Sequence, residues 1–139
     1  MIVLDTNVIS GPLKPLADSA VLRWLDAQEP ETLYLTATAL SELLIGIALL
    51  PAGKRKRGME QYLQSLLTKL FAGRLLSFDR EAAIAFALLG SRAAAKGYSI
   101  SVADCQIAAI AAVHGFAVAT RDTAPFMAVG VAVVNPWES

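Results

Sequence analysis

Apolar positions along this chain follow two rhythms. Residues 2–4, 33–35, 75–78 and 116–119 are short, largely apolar runs with the length and texture of buried strands. A fifth run, 129–134, contains Gly130 and ends before Pro136, which predicts an edge strand. Elsewhere the apolar residues return every three or four positions, as one face of a helix requires. After a loop punctuated by Gly11, Pro12 and Pro15, the residues Ala20, Val21, Trp24 and Leu25 follow Asp18 and Ser19, which suit a helix start, and Pro30 closes that segment. Residues 36–41 lead into a helix carrying Leu43, Leu44, Ile47 and Leu50 as far as Pro51. Tyr62, Leu63, Leu66, Leu67 and Leu70 mark its partner in a helical hairpin, with Lys54 to Arg57 read as a solvated loop between them. Residues 80–96 form an alanine-rich helix with Gly97 at its C′ position, and Ser101 begins another that runs to His114 and stops at Gly115.

Strands alternating with helices predict an α/β domain over residues 1–139, with a mostly parallel sheet of four to five short strands covered by helices on both faces. Hydrophobic residues make up 55% of the chain and charged residues 17%, a balance that predicts an apolar surface covered by a second copy or a partner. The formal net charge is zero, so contact with a polyanion would depend on local cations or bound metal. Cys105 is the only cysteine, which excludes an internal disulfide and a thiolate zinc cage. No uncharged apolar run is long enough to span a bilayer, and together these features predict a cytoplasmic protein without membrane contact.

The candidate chemistry is acidic. Asp5 and Asp122 follow two predicted strands, and Glu42 lies early in the helix after a third, so a parallel sheet would gather all three at its carboxyl edge. Asp104 sits in a first helical turn, but the element before it is also a helix, and this topology does not by itself bring it to the same edge. Clustered carboxylates raise one another's pKa unless a cation neutralises them, and an all-oxygen set suits Mg²⁺ or Mn²⁺ better than zinc. Each acid also has a local explanation. Asp5 can form an Asx-turn, Glu42 can be a solvated helix residue, Ser101 to Asp104 matches a capping box, and Asp122 can cap a turn containing Pro125 and Phe126.

As a set, the segments VLDTNVIS, TALSELLIG, SVADCQIAAIA and VATRDTAPF, which contain the four acids in order, resemble PIN-domain proteins. The length, FAGRLLSFD and the closing NPW resemble more narrowly the toxins of VapBC-type toxin–antitoxin pairs, in the FitB-like branch. The resemblance implies a ribonuclease in which Asp5, Glu42, Asp104 and Asp122 are both catalytic and metal-holding, cutting RNA with a water activated by Mg²⁺ or Mn²⁺. It implies that Thr6, Asn7 and Thr120 orient these acids or a water, a role their hydrogen-bonding groups allow, although strand-end capping would use the same groups. It further implies a homodimer, a higher toxin–antitoxin assembly and a DNA-binding antitoxin that blocks catalysis. The helices before Pro51 and after Gly58 are the expected dimer surfaces.

Arg121, beside Asp122, is the best candidate for contact with RNA phosphate, while Lys54 to Arg57 lie away from the acidic edge. Cys105 and His114 fall on nearly opposite faces of one helix, which excludes a thiol–imidazole pair. Trp24 and Trp137 read as packing residues. The LDTN segment also brings to mind an aspartyl-phosphate nucleophile loop, but Asn7 stands where the second acid would be needed. A catalytically silent PIN-fold module that regulates through an antitoxin-like partner is the alternative outside enzymology.

Overall fold

The computed structural model describes residues 1–13 and 17–138; Pro15, assigned above to a loop, lies outside the described residues. Five parallel strands form the sheet: β1 (Ile2–Leu4), β2 (Leu33–Thr36), β3 (Leu75–Leu76), β4 (Ala117–Ala119) and β5 (Val133–Val134), in the order β3-β2-β1-β4-β5. Successive strand residues point to opposite faces, and both Val3 and Leu4, like Val118 and Ala119, are almost wholly buried. Helices therefore cover the centre of the sheet on both sides, as the apolar runs predicted.

Seven α-helices are formed by the described residues: α1 (Thr6–Ser10), α2 (Ser19–Ala27), α3 (Ala37–Ala48), α4 (Lys54–Ser65), α5 (Arg80–Ala95), α6 (Val102–His114) and α7 (Thr123–Ala128). Their starts follow from side-chain caps. Asp18 accepts from the Ala20 N–H, Thr36 from Ala39, Asp79 from Ala82 and Ser101 from Asp104, each oxygen satisfying a donor that the helix itself leaves free. At the other end of α6, Gly115 adopts the left-handed conformation at φ 69°, which turns the chain into β4 within two residues. None of the helices among the described residues is long and apolar enough to cross a membrane.

Five local readings change. Thr6 to Ser10 is helical, because the Asp5 carboxylate caps the segment by accepting from the Thr6 N–H. Lys54 to Arg57 form the first turn of α4, and the Lys56 ammonium donates to the Ala48 carbonyl at 3.2 Å, close to the negative end of α3. The segment with Pro125 and Phe126 is the helix α7, which seats Phe126 in the core. Only Val133 and Val134 of the run 129–134 join the sheet, since Val129 still ends α7 and Gly130 turns the chain at φ 83°. In the same way, β3 keeps only two residues of the run 75–78.

Candidate active site

The chain crosses to opposite sides of β1, with β2 and β3 on one flank and β4 and β5 on the other. The crevice beyond the carboxyl ends of β1 and β4 is therefore the switch point at which open parallel sheets usually bind ligands. Asp5 leaves β1 at this point, and its N–H donates to the Ala119 carbonyl of β4 at 2.9 Å. Only 6% of the residue is exposed. Its Oδ1 accepts from the Thr6 N–H at 2.8 Å, and its Oδ2 accepts from the Thr120 hydroxyl at 2.8 Å and from Asn7 Nδ2 at 3.5 Å.

Thr120, fully buried after β4, has a second duty. Its hydroxyl accepts from the Asp122 N–H at 3.1 Å and from Asn7 Nδ2 at 3.4 Å, and Asn7 Oδ1 accepts from the Arg121 N–H at 3.3 Å. On the other flank, the Thr6 hydroxyl donates to Glu42 Oε1 at 2.8 Å, tying α1 to the middle of α3. Thr6, Asn7 and Thr120 thus bond to one another's acids across the crevice as well as along their own turns. Glu42 is no merely solvated helix residue. Asp122 precedes α7, yet its carboxylate makes no capping bond there.

Burial pushes the Asp5 carboxyl up to about 6; the Thr120 and Thr6 hydrogen bonds pull against that shift, and Asp104 and Glu42 add to it. Asp104 is also raised, first by burial, with Ser101 opposing through a hydrogen bond and Asp122 and Glu42 repelling. Asp104 and Glu42 thus act on Asp5, and Asp122 and Glu42 on Asp104, so Asp104, which topology left open, belongs to the cluster. Among the described residues, none of the groups that shift Asp5 and Asp104 is a cation.

The four do not close into a cage. Among the described residues no three His, Cys, Asp or Glu side chains are disposed to hold an ion. The donor chemistry does fit a hard divalent cation: oxygens only, two carboxyls held above their ordinary range, and no cation among the described residues compensating them.

Two contacts had no periodic signal to announce them. Thr38 on α3 donates to Gln106 Oε1 on α6 at 2.9 Å, bracing the helices that carry Glu42 and Asp104. Trp137, read as a packing residue, packs against the core and also lies 5.4 Å from the Arg121 guanidinium. Cys105 is buried, its thiol pushed up by burial and directed at the Phe86 carbonyl, while His114 stacks on Phe116; neither serves the site.

Residues 2–131 match the family model described as PIN domain. The chain belongs to the PIN-domain family. This PIN domain is 51% identical over 138 residues to the VapC ribonuclease Y4jK of Sinorhizobium fredii, covering 99% of both chains. It is 47% identical over 137 residues to Toxin FitB of Neisseria gonorrhoeae, again over 99% of each. In three dimensions it matches a chain in the solved structure of FitAB bound to an IR36 DNA fragment with a TM-score of 0.94, at 46% identity, over 99% of this chain and 96% of that one. The expected branch, VapBC toxins of the FitB type, is therefore the correct one.

Proposed function

We propose that this PIN domain is a Mg²⁺- or Mn²⁺-dependent endoribonuclease and the toxin of a type II toxin–antitoxin pair. One observation carries the reading: Asp5, buried at the switch point and wired to Thr120, shares its crevice with Glu42 and Asp104, and Asp104 in turn feels Asp122, with no cation among the described residues compensating Asp5 or Asp104. Charge buried in this way destabilises the free fold, which is intelligible when the site is built to receive a cation from outside. Asp5, Glu42, Asp104 and Asp122 would hold the ion, and Thr6, Asn7 and Thr120 would fix the rotamers of the acids they bond. The bound ion would supply charge neutralisation at the scissile phosphate and a lowered pKa for water. No serine, cysteine or histidine nucleophile is required of the protein.

Its likeness to FitB in a DNA-bound FitAB complex supports a DNA-binding antitoxin as partner, in the cytoplasmic setting that the sequence predicts. A groove suited to an apolar peptide runs between α1, α3 and α4, about 270 Å³ in volume, lined by Ile9, Leu13, Ile47, Leu50, Met59 and Tyr62 and opening onto Thr6 and Glu42. A segment bound there would end at the acids, where a basic side chain would block them. For the homodimer expected from composition, the helix before Pro51 remains a candidate surface, and we place α5 rather than α4 beside it. Leu44, Ile45 and Leu49 on α3, with Ile84 and Leu88 on α5, expose large apolar side chains, whereas the apolar residues of α4 face the groove and the core. Light scattering at micromolar concentration is expected to give the dimer mass, and Ile45→Glu combined with Leu88→Glu to give the monomer; a wild-type monomer would refute the dimer.

The function is tested by incubating the antitoxin-free protein with defined RNAs in Mg²⁺ or Mn²⁺, with and without chelator, and mapping the ends. Cleavage should depend on the ion and disappear in Asp104→Asn. A chain inert toward RNA under all these conditions, but still binding its antitoxin, would be the silent binding module instead.

A further inference from the structure

The rim of the crevice holds a structure that the acids do not explain. After β5 come Asn135, Pro136 and Trp137, where the Asn135 Oδ1 accepts from the Trp137 N–H at 3.0 Å and Pro136 is buried, so the indole is carried on a closed turn. This tail lies beyond the residues matched to the family model, which end at 131. The indole fits over Gly11, at the end of α1; a Cβ on Gly11 would meet its ring at 3.2 Å, tighter than such contacts normally allow. It also lies 5.4 Å from the guanidinium of exposed Arg121. Trp137 therefore touches both segments that flank the switch point, the one leaving β1 and the one leaving β4.

Arg121 is fixed twice. Its backbone N–H donates to Asn7, which itself leans on Asp5 and Thr120, and its side chain rests on the indole. A cation–π contact restrains a guanidinium without giving it a counter-charge or consuming an oxygen acceptor, so the group stays a cation ready for a phosphate. RNA needs one here. The chain carries no net charge, and the acids beside Arg121 repel a polyanion.

Building on the ribonuclease reading, we propose that Trp137 is a positioning residue that holds Arg121 at the rim as a clamp for an RNA phosphate next to the one that is cut. The clamp acts in binding, so its loss raises KM and leaves kcat nearly unchanged. Arg121→Ala should raise KM for a short single-stranded RNA of mixed sequence about tenfold, the size of one charge-assisted contact. It should also flatten the salt dependence of binding by about 0.7 in log–log slope. Trp137→Leu should raise KM about threefold, with Trp137→Phe restoring most of the loss because a ring face remains. In the Arg121→Ala background the Trp137→Leu change should do nothing further to KM, the signature of a residue that acts through another.

Thermal melts of each variant separate misfolding from this effect, because lost packing lowers kcat and Tm together and is not repaired by Phe in the salt slope. Additive effects of the two substitutions, or a wild-type KM in Arg121→Ala while RNA is still cut, would overturn the clamp and leave the ribonuclease reading standing; the second result would point to Arg121 serving an acidic peptide. If the wild-type chain cuts no RNA, both fall.

Discussion

Asp5→Asn is expected to remove metal-dependent RNA cleavage and, in the absence of divalent ions, to make the protein more stable above pH 6. The folded state holds the Asp5 proton up to about pH 6, against an ordinary value of 3.8. The folded protein thus binds more protons than the unfolded chain between these values, and its stability falls as pH rises through that window. Above pH 6 the ionised carboxylate costs at most about 3 kcal/mol, from roughly two pKa units at about 1.4 kcal/mol each. Asparagine cannot ionise. It keeps an acceptor for the Thr6 N–H but gives up the second carboxylate oxygen that accepts from Thr120, so a net gain of about 1–2 kcal/mol is the reasonable expectation. Melting curves from pH 4 to pH 8 should then be flatter in the variant, though not flat, because Asp104 is raised as well. Cleavage should fall by at least about 10²–10³-fold, the usual loss when a group facing developing charge is removed. An Asp5 that only capped α1 would behave otherwise, since Asn and Asp cap helices almost equally and cleavage would be untouched.

Thr120→Val is expected to lower stability and metal affinity together. Valine matches threonine in shape and suits the strand end, so packing is kept while the hydroxyl is lost. Three groups lose a partner: Asp5 Oδ2, the Asp122 N–H and the Asn7 amide. With the site buried at 0% exposure for Thr120, the cost should be about 1–3 kcal/mol. Asp5 also loses the hydrogen bond that most opposes its upward shift, so it ionises less readily and divalent affinity should drop about 10–100-fold. Titration calorimetry with Mn²⁺, beside a melt, reads both effects, and Thr120→Ser should recover most of the affinity. A valine variant that binds Mn²⁺ like the wild type would show that the hydroxyl only fills the strand end. The opposite stability signs at positions 5 and 120 also distinguish a site from a damaged core.

How legible the site was depended on which neighbour fixed each residue. Asp5 and Asp122 could be placed because an apolar run ending in an acid, repeated twice in a parallel sheet, has only one edge to occupy. Asp104 could not be placed from the helix before it, but the strand after it contains the answer. A helix joined by two residues to a following parallel strand runs back along the sheet, so α6 must begin at the carboxyl edge where β4 ends. The short helices α1 and α7 are illegible in the sequence because five or six residues give too little periodicity, and the acids that precede them, Asp5 and Asp122, read equally well as site residues. The helical start at Lys54 was hidden by four consecutive cations, whose solvation looks the same in a loop. Trp137 was invisible as a positioning residue, because only tertiary structure places the third-last residue over Gly11 and beside Arg121.

Crystals of the antitoxin-free protein soaked in Mn²⁺ and measured at the manganese absorption edge would test the acidic site most directly. An anomalous peak at the β1–β4 crevice, bound by Asp5 and at least one of Glu42, Asp104 and Asp122, and absent in Asp5→Asn, is the predicted result. A crevice without manganese, in a protein that still cuts RNA in chelator, would contradict it.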